Sequence, residues 1–511
     1  MTGTPTERGS GDHRWCDARI AALEAENARL QARVEATEGE NALLRSRVGE
    51  LESKVDSLMR RVEELGRRTR QNSQNSGRPP SSDGPAAPKR EKKPPSVRKQ
   101  GGQPGHEPHV RPLLPDDHVN EVQDHRPEAC GGCGGPLEET DNAPRKLQVV
   151  EPPPDIQPFV TEHRFHEGWC PKCEKSTEAQ HPVGVPLGPR CDAVTLGPHA
   201  RALLALCTGK YRMSKDMVAE FFHDVLHIDF CPASVCGAEE FVSDAVEKPV
   251  EEAHAYVQEQ PSVNVDETGF RQQRKKAWLW VAVTPLVTVF LVHLKRGRAA
   301  ARELLGAFAG TLGSDRWCAY SYWVIEMRQL CWAHLLRHFQ AFSESRGASR
   351  RIGLALLDEV HQMFHWWHKV RDGTLKRSTF KRYMAPLKRR VEALLTEAAQ
   401  CRQKWTAATA REVLKLKDAL WTFVSTEGVE PTNNAAERAL RPAVIWRKVS
   451  FGTQSDRGSR FVERIMTVAA TLKQQDRNVL DYLTAACIAK LRHEEPPSLL
   501  PAEVRPVRLR A

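Results

Sequence analysis

Three carboxylates that lie far apart in the chain, Asp266, Asp315 and Glu437, stand where folding could bring them together. Asp266 follows the β-branched residues Val263 and Val265, a pattern that predicts a carboxylate at the end of a short buried strand. Two divalent ions about 4 Å apart promote phosphoryl transfer by activating the attacking oxygen and stabilising the leaving oxygen. Hard carboxylate oxygens suit Mg²⁺ or Mn²⁺ in that role. The three residues therefore predict a two-ion site for phosphoryl transfer.

Each of these carboxylates also has a simpler interpretation. Glu267 is adjacent to Asp266, and the sequence does not show which of the two faces the sheet edge; we favour Asp266. Asp315 could only initiate a turn, and Glu437 could only cap its own helix. Arg441 would share the helix face of Glu437, where it could pair with that carboxylate or hold a phosphate.

The elements that must position the carboxylates form a predicted sheet. Strand-like segments occupy residues 263–270, with Gly269 marking a turn, and residues 277–284, 287–293, 310–314 and 325–332, with a helix at 299–309. The order strand, strand, strand, helix, strand, strand is typical of a ribonuclease H-like sheet. In that order Asp266 and Asp315 would end neighbouring strands, and Glu437 would come from a helix packed beside them.

The stretch around Glu437 is predicted as a helix that resumes near Asn434 and stops at Pro442. Arg447 and Lys448 then fall in a strand- or loop-like stretch that contains several glycines and polar residues. Such a stretch could approach a DNA backbone, which makes both residues candidates for DNA contacts.

Two CxxC pairs, Cys130 with Cys133 and Cys170 with Cys173, have the spacing of metal-binding knuckles. Four thiolates complete a tetrahedral zinc site with no open position, so the Zn²⁺ would be structural. The intervening residues 146–150 and 159–164 look strand-like, which predicts a zinc ribbon. Two unrelated thiol pairs, or a redox site, are the alternative.

Apolar residues repeat every seven positions from Ile20 to Leu65, which predicts a coiled coil. β-branched residues at the first core position and leucine at the second favour two parallel chains, and Asn27 and Asn41 would fix the register. An amphipathic helix packed on its own chain is the alternative. The coiled coil therefore predicts a homodimer or a higher oligomer.

The segment after this helix is rich in proline, serine and basic residues and is predicted to be a disordered linker. Between Arg67 and Lys99 it has ten Lys or Arg residues against Asp83 and Glu91. It could follow a phosphate backbone without reading bases, or it could be a solvated tether. The basic candidates for DNA contact there are Lys89, Arg90, Lys92 and Lys93.

Bulk composition agrees with a nucleic-acid partner and with no membrane span. The net charge is +10, and no run of about 18 apolar residues occurs. No signal peptide is expected, so the predicted location is the cytoplasm, in association with the nucleoid. Thirteen cysteines in such a chain favour metal sites over disulfides.

Together these patterns predict a multidomain α+β protein. The predicted parts are a coiled coil (17–66), a basic disordered linker (67–115), a four-cysteine zinc-binding domain (116–185), a helical module (190–259), a ribonuclease H-like α/β catalytic core (260–475) with a helical insertion at about 340–428, and a C-terminal helix and tail (476–511). The helical module could be a helix-turn-helix DNA-binding unit or a plain connector.

Several short motifs give the chain a resemblance to a known family. They are NSQNS (72–76), PPSSD (79–83), GGQPGH (101–106), the two CxxC pairs, VDETG (265–269), QLCWAH (329–334), TNNAAERALRP (432–442) and RKVSFGTQ (447–454). Over nearly its whole length the chain resembles bacterial transposases of the insertion sequence 66 family. The resemblance implies a DDE transposase whose triad is Asp266, Asp315 and Glu437, with a zinc-binding domain ahead of the catalytic domain.

The resemblance also implies cleavage and 3′-hydroxyl strand transfer at the ends of an insertion sequence, with DNA and small accessory proteins as partners. The chain departs from some DDE transposases, which carry a basic residue seven positions after the glutamate; here that residue is Val444, and Arg441 or Lys448 could substitute. Two other functions stay open. One is a DNA-binding protein with a vestigial catalytic fold, and the other is a ribonuclease H-like nuclease that cuts without joining.

Overall fold

The computed structural model describes residues 12–76, 83, 112–138, 146–153, 155–179, 182–185 and 194–501. The chain divides into two compact units, Met1–Lys89 and Arg90–Ala511. The basic candidates Lys89, Arg90, Lys92 and Lys93 lie outside the described residues. Among the residues that are described, no helix combines the length and the apolar character that crossing a bilayer requires.

The first unit contains one long helix, α1 (Asp12–Arg70). The apolar residues of the heptad pattern, from Ile20 to Leu65, are exposed along it. The single long helix is therefore confirmed. Its pairing with a second chain stays a prediction.

The residues that follow α1 form a hydrogen-bonded turn. Asn75 donates its side-chain amide to the carbonyl oxygen of Arg70 at 3.0 Å and accepts from the backbone N–H of Asn72 at 2.9 Å. The carboxylate of Asp83 accepts from the hydroxyl of Ser73 at 2.6 Å. The segment that we predicted to be disordered thus begins with an ordered helix end and turn, because short polar side chains satisfy the last helical carbonyls.

The cysteine-rich region contains a small antiparallel hairpin, β1 (Glu167–Cys170) and β2 (Lys175–Glu178), which encloses the second CxxC pair. The strands that we expected at residues 146–150 and 159–164 are wrong, since both segments lie outside any strand. Leu147 and Phe159 are 89% and 96% exposed, so these β-prone residues have no surface to pack against.

A helical module precedes the sheet. Its helices are α2 (Pro198–Gly209), α3 (Lys215–Leu226), α4 (Pro232–Ala245) and α5 (Glu247–Gln258). The apolar pattern over residues 233–258 predicts one continuous helix, but the structure has two, with a break at Val246. Pro249 explains the break: it has no N–H to donate to the carbonyl of Ala245, so it is tolerated only in the first turn of a new helix.

A five-stranded mixed sheet forms the centre of the second unit. It contains β3 (Ser262–Gln272), β4 (Lys275–Val283), β5 (Thr288–His293), β6 (Thr311–Ser314) and β7 (Arg328–Leu330), with α6 (Arg298–Leu305) between β5 and β6. The strand order is β5-β4-β3-β6-β7. The first three strands pair antiparallel, whereas β6 pairs parallel with both β3 and β7. The predicted succession of strands and helix is confirmed.

β3 is longer than the sequence suggested. It continues through Gly269, which therefore does not mark a turn, and the hairpin to β4 turns instead at Gln273 and Arg274, both with positive φ. Asp266 consequently lies inside the antiparallel pair of β3 with β4, not at its end. It does lie beyond the parallel pair of β3 with β6, whose last paired β3 residue is Asn264.

Five helices separate β7 from the helix that carries Glu437. They are α7 (Trp332–Ser343), α8 (Gly347–Arg371), α9 (Arg377–Ala398), α10 (Lys404–Leu414) and α11 (Thr422–Ser425). They enclose a separate apolar core that contains Phe339, Phe380 and Phe423. The two ends of this helical segment meet, because the N–H of Trp332 donates to the carbonyl of Pro431 at 3.0 Å.

The last three helices are α12 (Asn434–Ser450), α13 (Asp456–Gln474) and α14 (Val479–Arg492). Our prediction that the helix stops at Pro442 is wrong, and so is the loop expected for Arg447 and Lys448, since α12 continues to Ser450. Pro442 is exposed, so water can reach the backbone that its missing N–H leaves unpaired.

Helix α13 covers the free edge of β5. The hydroxyls of Thr471 and Thr467 accept from the backbone N–H groups of Thr288 and Phe290 at 3.1 Å each. The carboxylate of Glu463 accepts from the N–H of Val292 at 2.6 Å. Side chains four residues apart on a helix are spaced about 6 Å along its axis, and N–H groups two residues apart on a strand are spaced about 6.8 Å. Side chains on one face of the helix can therefore reach alternate N–H groups of the strand.

Candidate active site

Asp266 and Glu267 are adjacent residues of β3, and the strand directs their carboxylates to opposite faces of the sheet. Glu267 is buried, accepts from the hydroxyl of Tyr320 at 2.7 Å and pairs with the guanidinium of Arg296 at 2.8 Å. Arg296 in turn lies 4.1 Å from the ring centroid of Trp317. The carboxylate of Asp266 accepts from the N–H of Glu267 at 2.9 Å. Because successive residues of a strand point to opposite faces, Glu267 ties the strand to its surroundings and Asp266 faces the other way.

Asp315 directly follows β6, the strand that lies beside β3 in the sheet. The parallel register pairs Asn264 with Gly313, and continuing that register by two residues brings Asp266 level with Asp315. Neighbouring strands lie about 4.8 Å apart, so the two aspartates are neighbours across the sheet. One carboxylate oxygen of Asp315 accepts from the N–H of Trp317 at 2.8 Å, which fixes the turn that follows the strand.

A buried arginine supports the backbone at Asp315. Arg328, at the start of β7, is 2% exposed and donates to the hydroxyl of Ser314 and to the carbonyl of Asp315, both at 3.2 Å. Its guanidinium also interacts electrostatically with the carboxylate of Asp315, whose negative charge it partly offsets.

Glu437 lies in the first turn of α12, and Asn433 fixes the start of that helix. Asn433 donates its side-chain amide to the carbonyl of Val265 at 2.6 Å, and its backbone N–H donates to the sulfur of Cys331 at 3.1 Å. Val265 directly precedes Asp266, so one asparagine attaches the helix of the third carboxylate to the strand of the first. Asn433 belongs to the TNNAAERALRP motif, but its sequence context does not reveal that it attaches α12 to β3. That function depends on a contact between residues 168 positions apart.

The environment of Asp266 is electrostatically unfavourable for a carboxylate. Burial raises its pKa well above the usual range, and the negative charges of Glu267, Asp315 and Glu437 raise it further. The pKa of Glu267 is also raised, first by burial and then by Asp315, although Tyr320 and Arg296 oppose the shift. Four carboxylates therefore share one low-dielectric region, which is an arrangement that a divalent cation would stabilise.

The carboxylates of Asp266, Asp315 and Glu437 are the ligand type that a hard divalent ion takes, but among the described residues their ligand atoms do not all lie within 4.8 Å of one another. The Oε1 atom of Glu437 is buried without a hydrogen-bond partner, and its ionisable neighbours are Nδ1 of His334 and the guanidinium of Arg337, each at 3.7 Å. Glu437 thus has a free ligand atom, and it is neither a capping-box residue nor a partner of Arg441, as we had considered. Carboxylate oxygens are the ligands that Mg²⁺ and Mn²⁺ prefer.

A second group of potential ligands meets at Glu437. Within the part of the chain that the structure describes, Cys331, His334 and Glu437 form the one set of three whose ligand atoms all lie within 4.8 Å of one another. Burial raises the pKa of the Cys331 thiol to about 11, and burial followed by the charge of Arg337 lowers the pKa of His334. The QLCWAH motif was the sequence signal for these residues, but we gave them no function.

The cysteines predicted to hold zinc are close only within each pair. Hydrogen bonds from Gly132 and Cys133 lower the pKa of Cys130, and those from Cys173 and Lys172 lower the pKa of Cys170. These shifts favour thiolates, the form that binds zinc. No three of these four described cysteines form a set of ligand atoms within 4.8 Å, so the common zinc site stays a prediction.

The basic candidates differ in their surroundings. Arg441 and Lys448 are exposed on α12. The guanidinium of Arg447 donates to the carbonyl of Gly269 at 2.6 Å and to the hydroxyl of Thr268 at 3.2 Å, so it holds α12 against β3. A side chain at position 269 would meet this guanidinium at 3.2 Å, which explains a glycine inside a strand.

Parts of the chain are similar to two known families and to one known protein. The sequence model described as "Transposase IS66 family" matches residues 195–460, slightly more than half of the chain and the part that contains all three carboxylates. A family of unknown function, DUF6444, matches residues 15–112. The chain is also 27% identical over 240 residues to "Uncharacterized protein y4qI" of Sinorhizobium fredii (strain NBRC 101917 / NGR234). That match covers 41% of this chain and 43% of the relative.

Proposed function

Because the chain belongs to the IS66 family of transposases, we propose that it cleaves DNA strands at the ends of an insertion sequence and joins the freed 3′-hydroxyl to target DNA. The catalytic residues in this proposal are Asp266, Asp315 and Glu437. The observation that carries it is the register of β3 with β6, which brings the two aspartates level on neighbouring strands while Asn433 attaches the helix of Glu437 beside them.

The proposed catalytic fold is ribonuclease H-like. Its support is the strand order β5-β4-β3-β6-β7, with three antiparallel strands followed by two parallel ones, and the helix α6 at the change between them. In this fold the five helices from Trp332 to Ser425 are an insertion between the second and third carboxylates.

The three carboxylates would hold two Mg²⁺ or Mn²⁺ ions. When bound, these ions supply Lewis-acid activation of the attacking oxygen and neutralise charge at the leaving oxygen. Asp266 and Asp315 provide rigid ligands because both come from the sheet, and Glu437 completes the set from α12. Glu267, which is held by Arg296 and Tyr320, keeps the strand fixed without contributing a ligand.

The reaction has two successive displacements at phosphorus. In the first, a water oxygen forms a bond to the phosphorus at the element end, and the bond from phosphorus to the 3′-oxygen breaks to leave a 3′-hydroxyl. In the second, that hydroxyl attacks a phosphorus of target DNA and displaces the target's own 3′-oxygen. One carboxylate set can serve both steps, because each step needs an activated oxygen opposite a leaving oxygen.

The other predicted modules would organise DNA around this site. A coiled coil between two copies of α1 would hold two catalytic units so that two element ends can be paired. Structural Zn²⁺ on Cys130, Cys133, Cys170 and Cys173 would stabilise the domain ahead of the sheet. Exposed Arg441 and Lys448, together with the basic linker, would contact DNA phosphates.

Strand transfer in vitro tests the proposal. The purified chain is incubated with Mg²⁺, target plasmid and DNA that carries the ends of the element encoding it, and cleaved and joined products are separated. Asp266→Asn, Asp315→Asn and Glu437→Gln should each abolish both products. Glu430→Gln, at an exposed glutamate ahead of the same helix, is the matched control and should retain them.

Each other outcome of this assay has a defined meaning. Full activity in any of the three carboxylate variants contradicts the assignment. Cleavage without joining in the unmodified chain supports a nuclease instead. DNA binding without any Mg²⁺- or Mn²⁺-dependent cleavage supports a DNA-binding protein with a vestigial site.

A further inference from the structure

We infer that Cys331, His334 and Glu437 form a second metal site, specific for a thiophilic divalent cation such as Zn²⁺, that shares Glu437 with the proposed catalytic site. A thiolate, an imidazole and a carboxylate are the ligand types that zinc takes in proteins, and three protein ligands leave one position open. Mg²⁺ has little affinity for sulfur, so the two sites differ in the ions that they prefer.

The ligand atoms have nearly the separations that such an ion requires. Two ligands of a tetrahedral zinc ion, each about 2.1 Å from it, are roughly 3.4 Å apart. The Nδ1 atom of His334 lies 3.7 Å from the Oε1 atom of Glu437, and the sulfur of Cys331 lies within 4.8 Å of its partner atoms. Small side-chain rotations would close the remaining gap.

Two buried polar atoms of this set lack a hydrogen-bond partner. Nδ1 of His334 and Oε1 of Glu437 are both buried without a hydrogen-bond partner, and 3.7 Å is too long for a hydrogen bond between them. Leaving a buried polar atom unpaired is costly, and one cation between the two atoms would satisfy both. This observation is independent of the clustering of the three residue types.

The backbone around Cys331 is suited to a metal-bound thiolate. Its sulfur accepts from the N–H of Asn433 at 3.1 Å, and Cys331 is the N-cap of α7, where the helix dipole favours a negative charge. On binding, the sulfur–metal bond forms as the thiol proton passes to solvent. Cys331 and His334 lie at the start of the helical segment α7–α11, and Glu437 lies just after its end. The ion would therefore connect the two ends of that segment.

Two cations oppose the site, since Arg316 lies beside His334 and Arg337 lies beside both His334 and Glu437. A guanidinium nitrogen of Arg337 lies 3.7 Å from the same Oε1 atom of Glu437, and its positive charge repels a metal ion there. Arg337 is 28% exposed and can turn towards solvent. Arg337→Gln should therefore strengthen metal binding.

Occupancy by zinc would withdraw Glu437 from the catalytic ions. Only this effect on the catalytic ions rests on the proposed function. Metal binding by Cys331, His334 and Glu437 requires neither DNA nor catalysis. Zinc should consequently inhibit strand transfer at a fixed Mg²⁺ concentration.

Cobalt binding by the full chain tests the inference, because Co²⁺ replaces Zn²⁺ and its thiolate complexes absorb in the near ultraviolet. The CxxC pairs are also predicted to bind metal, so the measured quantity is the difference in bound cobalt between unmodified chain and variant. Cys331→Ser should lose one equivalent of cobalt per chain and part of the thiolate absorption. His334→Gln should weaken binding about tenfold or more. Cys487→Ser, at a buried cysteine on α14, is the control and should change neither.

Equal cobalt content and equal absorption in the unmodified chain and in folded Cys331→Ser would overturn the inference. If Cys331→Ser does not fold, unchanged cobalt affinity in His334→Gln overturns it. Asp266→Asn separates this inference from the proposed function, because that variant should lose strand transfer and keep the cobalt signal of Cys331. An Asp266→Asn variant that retains strand transfer contradicts the proposed function alone.

Discussion

The side-chain amide of Asn433 donates to the backbone carbonyl of Val265 at 2.6 Å, so the helix that carries Glu437 is attached to the strand that carries Asp266. The same residue donates its backbone N–H to the sulfur of Cys331. A single buried residue, through its side chain and its backbone N–H, therefore connects three segments of the candidate site that are far apart in sequence.

Asn433→Ala should leave the buried carbonyl of Val265 unpaired and reduce the free energy of unfolding by about 1–3 kcal/mol. Because Asn433 positions Glu437 without contacting the DNA, strand transfer should fall through kcat more than through KM. Denaturant unfolding and transfer kinetics measure the two effects. Asn434→Ala, at the next and half-buried position, is the matched control, and an equal loss in both variants would contradict the positioning role.

Adjacent residues of β3 should respond to substitution in opposite directions. Asp266→Asn removes a charge that burial and the neighbouring carboxylates both disfavour, so the metal-free chain should gain stability. Glu267→Gln breaks a buried ion pair with Arg296 and should lose on the order of 3 kcal/mol. Thermal unfolding in the presence of a chelator measures both. A gain from Glu267→Gln, or a loss from Asp266→Asn, would contradict the assignment of a structural and a catalytic carboxylate.

The edge of β5 depends on side-chain acceptors from α13. Thr467→Val keeps the shape of the side chain but leaves the N–H of Phe290 without its acceptor, which should cost about 1–3 kcal/mol of stability. Thr467→Ser retains the hydroxyl and should cost less. Chemical denaturation compares them, and equal stabilities for the two variants would show that the edge hydrogen bond contributes nothing.

Glu463 should make stability depend on pH. Burial, with a smaller contribution from Glu303, raises its pKa to about 7, although the N–H of Val292 and the charges of Arg464 and Arg460 lower it. The unfolded chain has a glutamate pKa of about 4.3, so between these values the folded chain binds more protons. This contribution to stability is therefore present at low pH and is lost as pH rises towards 7.

Glu463→Gln keeps an acceptor for the N–H of Val292 but cannot titrate. The unmodified chain should lose stability relative to this variant as pH rises from about 5 to about 7. Urea unfolding at several pH values measures the difference. Parallel pH profiles for the two proteins would refute the raised pKa.

The sequence was sufficient to predict the central sheet because its strands are short apolar runs rich in β-branched and aromatic residues, such as Ala277–Val283 within β4. The predictions from sequence were wrong where burial determines whether a strand forms or where a helix ends. Residues 159–164 have strand-forming side chains but no partner strand, and Pro442 does not end α12 because its side of the helix faces water.

The candidate site was predictable only in part, for the same reason. Asp266, Asp315 and Glu437 could be selected from residue type and position, whereas Asn433 and Arg296 could not. Their functions depend on contacts with Val265 and Glu267 that form only when distant segments fold together. Local pattern carries no information on such contacts.

The central claim is that two aspartates on neighbouring strands and a glutamate on α12 hold one pair of divalent ions. Electron paramagnetic resonance of Mn²⁺ bound to the chain with a cleaved element end tests this claim most directly, because two ions about 4 Å apart are magnetically coupled. The account predicts two bound ions with a coupled spectrum that is lost in Asp266→Asn, in Asp315→Asn and in Glu437→Gln. Uncoupled ions, or a coupled spectrum that persists in any of these variants, would contradict it.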